Sequence, residues 1–139
     1  MIQISKQVDY ASQFLQEIKK LKKDEYLSLK NFSEEKEISF LFLQRIARIL
    51  KEAGIIKSKR GTKGGYYLNS KIKKLSLKRL MEIIDGSFGI SKCTRIIFDL
   101  NTGKQKKCQC KREKNCNNRK IFLKLNREIS VILDKIIII

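Results

Sequence analysis

Histidine and proline are both absent from this 139-residue chain, and no apolar run in it is long enough to span a bilayer. Without histidine, a nucleophilic cysteine lacks its usual neighbouring base, so the chain reads as a non-enzyme. Without proline, the long apolar periodicities read as uninterrupted helices. The first twenty residues carry Lys6, Asp9, Glu17, Lys19 and Lys20, which leaves no apolar core for a secretory signal. The closing run Ile136 to Ile139 is far too short to cross a membrane. A soluble cytoplasmic protein with no membrane partner is therefore expected.

Acidic residues are also scarce, 14 against 32 Lys and Arg, giving a formal charge of +18. That imbalance points to a polyanion, nucleic acid before membrane. Its distribution is uneven. Residues 1 to 56 carry ten basic and eight acidic side chains, whereas residues 57 to 79 carry nine basic and no acidic ones. A second excess, ten basic residues against Asp99 and Glu113, covers residues 92 to 120. A hydrophobic content of 42% is enough to build one compact core.

Ile4, Val8, Ala11, Leu15 and Ile18 recur every three or four residues and predict a first helix with one buried face. A short second helix follows, with Leu29 and Phe32 inward and a turn at Glu37 and Ile38. Ser39 stands in the N-cap position before FLFLQRIARILKEAG, where Leu43, Ile46, Ala47 and Leu50 form the inward face and Gly54 the stop. Two short helices joined by a tight turn make a helix-turn-helix. The next segment, IIKSKRGTKGGYYL, reads as a two-stranded hairpin around the basic, glycine-rich loop RGTKGG. Corner plus basic hairpin is the order of a winged helix. Ser76 then caps a helix from Leu77 to Ile84 that stops at Asp85-Gly86, and residues 87 to 118 form a long connection holding all four cysteines. From Arg119, the residues Phe122, Leu125, Ile129, Ile132, Ile136 and Ile139 repeat as a heptad seam. Ile121, Val131, Leu133 and Ile137 add further apolar faces, which predicts a partner helix and a homodimer.

The expected fold class is mainly α: a winged helix-turn-helix with a two-stranded wing and a long C-terminal dimerisation helix. The expected division is a DNA-binding domain at 1–86, a cysteine-bearing sensor loop at 87–118 and a dimerisation helix at 119–139, with Phe122, Leu125, Ile129, Ile132 and Ile136 as its interface. The outward positions of the recognition helix are Phe40, Leu41, Gln44, Arg45 and Arg48. Gln and Arg read base edges in a major groove, and Phe40 or Leu41 meets a thymine methyl. For Arg48, a surface ion pair with Glu52 competes with a base contact. Ser39 meets a phosphate at the helix N-terminus. Lys57, Lys59, Arg60, Lys63 and Gly64 of the hairpin contribute charge and close backbone approach. In a dimer the two recognition helices meet successive major grooves, so the expected partner is double-stranded, near-palindromic operator DNA.

The cysteines Cys93, Cys108, Cys110 and Cys116 are spaced C-x14-C-x1-C-x5-C. In a reducing compartment they read as metal ligands or redox centres before structural disulfides. Two zinc knuckles are not offered by this spacing. Iron-sulfur clusters accept irregular spacings, and the neighbouring Lys106, Lys107, Lys111 and Arg112 stabilise thiolates for ligation or oxidation alike.

The stretch ISFLFLQRIARILKEAGIIKSKRGTKGGYYL resembles the signature of the winged-helix repressor family that contains IscR, NsrR, RirA and CymR. The likeness extends over nearly the whole chain, from Asp9-Tyr10-Ala11 on the first helix to the closing long helix. It implies a dimer that binds operator DNA and often carries an iron-sulfur cluster, 2Fe-2S or 4Fe-4S. Cys110 and Cys116 match the spacing of the family's last two cysteines, Cys93 stands as the distant third, and Asp9 falls where one branch has a carboxylate ligand from the partner subunit. Cys108 is an extra thiol and an alternative ligand. Another branch has a ligating histidine where this chain has Arg119, and Gln44 replaces a glutamate that influences which sites a relative accepts. Two other readings remain: a regulator of the same fold sensing through thiols or a partner protein without a cluster, and a basic adaptor whose apolar C-terminal helix binds a protein or membrane surface.

Overall fold

The computed structural model describes residues 3–98, 105–107 and 110–139; Cys108 and part of the expected sensor loop lie outside them. Helix α1 spans Lys6–Lys20, with the Ser5 hydroxyl accepting the Val8 amide at 3.2 Å and Lys19 and Lys20 in the last turn, where the helix dipole favours cations. It buries Val8, Ala11, Phe14, Leu15 and Ile18. Ile4, expected on that stripe, precedes the cap and is exposed. Helix α2, Leu29–Lys36, is capped by Ser28 and buries Leu29 and Phe32. Its exit at Glu37 is left-handed (φ 54°), which lets the Ile38 amide reach the Ser33 carbonyl at 3.0 Å and sends the chain sharply into α3, Phe40–Glu52.

The inward residues of α3 are Leu43, Ile46, Ala47 and Leu50, as the spacing predicts. Gly54 takes φ +74°, and the Ile55 amide closes back on the Leu50 carbonyl at 2.9 Å. Strands β1, Ile56–Lys59, and β2, Gly65–Leu68, then pair antiparallel, Ile56 opposite Leu68 and Lys59 opposite Gly65. On the far edge of β2, Leu27 and Tyr66 exchange both backbone hydrogen bonds at 2.9 Å, so the hairpin is fastened to the α1–α2 connection. Phe14 joins the layers, edge-on to Phe32 at 5.2 Å and to Tyr66 at 5.8 Å. Helix α4, Leu77–Asp85, capped by Ser76 and stopped by Gly86 at φ +84°, adds Leu80, Met81 and Ile84 to the same core. The winged helix expected from sequence is the fold of the chain.

Two parts depart from the expectation. The connection after α4 is not simply a loop: a 3-10 turn at Lys92–Thr94 leads into β3, Ile96–Phe98, which pairs antiparallel with β4, Gln105–Lys107. There are thus two antiparallel strand pairs among the described residues rather than one. The final helix, α5, spans Arg119–Lys135 and ends before Ile136. The last four residues, expected to continue the heptad, turn extended and pair with the start of α4. Leu75 donates to the Ile139 carbonyl at 2.9 Å, Ile138 donates to Leu75 at 2.8 Å and Leu77 donates to Ile136 at 2.8 Å. Ile139 consequently sits in this chain's own core. Four β-branched residues lose little by leaving a helix for a strand-like pairing that buries one of them.

Candidate functional site

Helix α3 separates two kinds of residue. Its apolar stripe is consumed by the core, while Phe40, Leu41, Gln44, Arg45 and Arg48 all stand exposed, Leu41 at 77%. Phe42 turns back and meets Tyr10 edge-on at 5.7 Å, which fixes the helix start against α1. Ser39 is in N-cap position, but its hydroxyl makes no capping bond and is exposed, so it and the first turn's amides face solvent together. Arg48 pairs with Glu52 at 3.8 Å, both more than two-thirds exposed, the competing arrangement expected from the i,i+4 spacing.

The hairpin next to α3 is braced on both edges. Lys51 Nζ donates to Ser58 Oγ at 2.8 Å from the end of α3, and Leu27 holds the other side. Arg60, Gly61, Thr62 and Lys63 at its tip are exposed. Gly64 packs so tightly on the Lys59 carbonyl that no side chain fits there. The two strand lysines lie elsewhere. Lys59 Nζ sits 4.8 Å from the centre of the Tyr26 ring and 3.4 Å from its hydroxyl, a cation–π contact that fixes the strand. Lys57 lines a cleft of about 440 Å³ between the end of α1, the turn at residues 21–26 and the back of the hairpin. Tyr26 went unnoticed in the sequence because it stands alone after a charged run, with no periodicity to mark it as inward.

Cys93, Cys110 and Cys116 are half-buried free thiols. Cys93 lies in the 3-10 turn, its Sγ 3.1 Å from Ser91 Oγ. The turn is closed on itself: Ser91 donates its amide to Thr94 Oγ1 at 3.1 Å, and Thr94 Oγ1 donates to the Ser91 carbonyl at 3.0 Å. Gly89 abuts the Arg95 backbone, where an added Cβ would stand 2.6 Å from the Arg95 Cα. Cys116 precedes α5, and its carbonyl accepts the Arg119 amide at 3.2 Å. Asp9 is exposed in the first turn of α1 and accepts from Gln13 Nε2 at 3.1 Å. Among the described residues, no three Cys, Asp or Glu side chains of one chain come together as a group able to hold a metal ion.

Helix α5 leaves most of its apolar residues outward. No residue of it is buried, and Phe122, Leu125, Ile132 and, just past its end, Ile136 are exposed, Ile132 at 59%, with Ile129 half-buried. Its attachments to its own chain include polar ones. Asn126 Oδ1 accepts the Ile90 amide at 3.1 Å; Asp134 accepts from Ser76 Oγ and Lys78 Nζ, both at 3.1 Å. The sequence marked neither residue, since the apolar stripe is what periodicity detects. No helix among the described residues is long and apolar enough to cross a membrane.

Several solved structures share this architecture. CymR (YrzC), described as the global cysteine regulator of B. subtilis, superposes with a TM-score of 0.74 at 20% identity, over 99% of this chain and 94% of that one. The oxidized form of Staphylococcus aureus CymR gives 0.70 at 20% identity, over 99% and 93%. T. potens IscR gives 0.66 at 20% identity, over 99% and 83%. Among curated protein sequences, none matches this one. Residues 4–138 match the sequence model of a family described as "Rrf2: Iron-dependent Transcriptional regulator". With its winged helix, basic hairpin tip and long closing helix covered by that match, the chain belongs to the Rrf2 family of transcriptional regulators.

Proposed function

We propose that the chain is a homodimeric, sequence-specific DNA-binding regulator, acting in the cytoplasm, whose operator affinity is controlled by an iron-sulfur cluster in its cysteine segment. The observation that carries the DNA-binding part is the division of labour on α3: every outward residue is free of the core, beside a basic hairpin tip braced from both edges. Gln44 and Arg45 would read base edges in the major groove, Phe40 and Leu41 a thymine methyl, and Ser39 a phosphate. Arg60, Lys63 and the Gly64 backbone would meet the flanking backbone or minor groove; Lys57 and Lys59 contribute longer-range charge. The seam of Phe122, Leu125, Ile132 and Ile136, with the half-buried Ile129 among them, would pair with its copy, setting the two recognition helices on a near-palindromic site. On this reading the chain works as three parts, residues 1–86, 87–118 and 119–139.

The donor set fits a cluster in its chemistry: three half-buried free thiols within a basic segment, Cys110 and Cys116 shortly before α5 and Cys93 in the turn at Lys92–Thr94. Cys93, Cys110 and Cys116 would hold it, with Asp9 of the partner subunit as fourth ligand and Cys108 as the alternative. When bound, such a cluster supplies a redox-responsive, oxidant-sensitive link between those segments. The chain's own residues do the rest: the closed turn around Cys93 fixes one thiol in place, and α5 carries its position to the dimer. The family's description as iron-dependent supports this reading.

The deciding experiment is an anaerobic, iron-replete preparation analysed for visible absorption, iron and sulfide, beside DNA binding. Colour that is lost in Cys93→Ala, Cys110→Ala or Cys116→Ala, with altered DNA affinity, is the expected result. A colourless, iron-free protein would remove the cluster and leave the DNA-binding role standing. A second reading, thiol sensing without a cluster, is favoured by one observation: within one chain, no three ligand side chains converge among the described residues. In that case DNA affinity responds to peroxide and thiol reductant with no metal present.

A further inference from the structure

Helix α5 is fastened to its own chain at two points with different neighbours. Near its middle, Asn126 holds the Ile90 amide, and Ile90 directly precedes Ser91, the cap of the turn that carries Cys93. That turn is internally bonded through Ser91 and Thr94, with Thr94 buried, so its residues are tied to one another. Near its end, Asp134 holds Ser76 and Lys78, the cap and first turn of α4. The segment that follows pairs with Leu75 and Leu77 and seats Ile139 in the core. Helix α4 in turn packs against both α1 and α3. No residue of α5 is fully buried and Leu133 alone packs partly against the core, so the polar fasteners and the paired tail share with it in setting where the helix lies.

We propose that Asn126 and Asp134 are the positioning residues that couple the Cys93 turn to the DNA-binding unit within one chain. A displacement at Cys93 is passed through Asn126 to α5, along the rigid helix, and through Asp134 and the paired tail into α4 beneath the recognition helix. The inference rests on the sensor reading above and adds its route, one that does not cross the dimer interface. It also gives a role to an asparagine and an aspartate, eight residues apart on a helix with an outward apolar seam, that both bond to their own chain.

The test uses the full chain with Cys108, Cys110 and Cys116 replaced by serine, so that iodoacetamide alkylates Cys93 alone. Amide hydrogen exchange is read at Leu75, Leu77 and Ile138, whose amides donate across the tail pairing. Alkylation should speed that exchange about fivefold, what weakening one net hydrogen bond gives. Asn126→Ala should abolish the response to alkylation, read as the ratio of alkylated to unmodified exchange within the same variant. Asp134→Ala should raise the unmodified rate and also abolish the response. A full response in Asn126→Ala, or none with Asn126 intact, overturns the coupling. Affinity for duplex DNA, measured in parallel on the chain with all four cysteines before and after removal of iron and oxidation of its thiols, separates this from the sensor reading. If exchange responds through Asn126 while that affinity does not change, the coupling stands and the sensor reading falls. If affinity responds equally with Asn126→Ala, the sensor reading stands and the coupling falls.

Discussion

Gly65 runs directly beneath Leu27: a Cβ built on Gly65 would stand 2.5 Å from the Leu27 carbonyl oxygen and 2.8 Å from its carbon. The contact is backbone on backbone, so no side chain can swing aside to relieve it. Gly65→Ala should therefore cost about 1–3 kcal/mol, the range of overpacking in a tight interior, and lower the thermal midpoint. Since Leu27 is what braces the far edge of the hairpin, the variant should also lose DNA affinity. A variant with unchanged melting and binding would refute the idea that this bridge holds the wing.

The tip residues Arg60 and Lys63 are exposed and unbonded among the described residues, unlike Lys59, which rests on Tyr26. Replacing either by Ala should weaken binding about equally on any duplex and reduce the salt slope by about 0.9 for each phosphate no longer neutralised. Lys59→Ala should act differently, through stability of the hairpin more than through salt dependence. Affinity titrations at four or five salt concentrations separate the two behaviours.

On α3, Gln44 and Arg48 are both exposed, but among the described residues only Arg48 has a partner. Gln44→Ala should relax preference at one base pair by about 1–3 kcal/mol and leave the rest of the site unchanged, read from binding to a panel of single-substituted duplexes. Arg48→Ala should change folding stability by less than about 1 kcal/mol, because an exposed i,i+4 ion pair contributes little.

Leu125→Glu or Ile132→Glu places a charge in the outward seam of α5. Neither side chain is buried in the chain itself, so the fold of residues 6–98 should persist by circular dichroism while sedimentation shows a shift from dimer to monomer. Stability that falls with association intact would mean the seam packs at home instead.

How much of this could be read in the sequence follows from where each interaction lies along the chain. Helix α3 was legible because Leu43, Ile46, Ala47 and Leu50 sit within two turns and Gly54 marks the exit. The wing was legible because only a tight basic turn needs glycine in that density. The extended tail was not, since Ile136 and Ile139 continue the heptad spacing perfectly well; it is Leu75, more than sixty residues earlier, that decides their conformation. The β3–β4 pairing escaped for a similar reason, as IIF and QKK show no alternation. Asn126 and Asp134 have no mark in the pattern because periodicity follows apolar residues, and most of those on this helix face outward. At the cysteines, spacing identified the thiols but said nothing about whether they converge.

That outward seam bears on how the protein's abundance is felt. If α5 is covered only by a second copy, the DNA-binding species forms from two chains at once. At chain concentrations well below the dimer dissociation constant, doubling the supply raises the dimer about fourfold. Occupancy of the operator then rises as a threshold instead of in proportion, and a modest change in synthesis or degradation becomes a signal in its own right, alongside whatever the cysteines report.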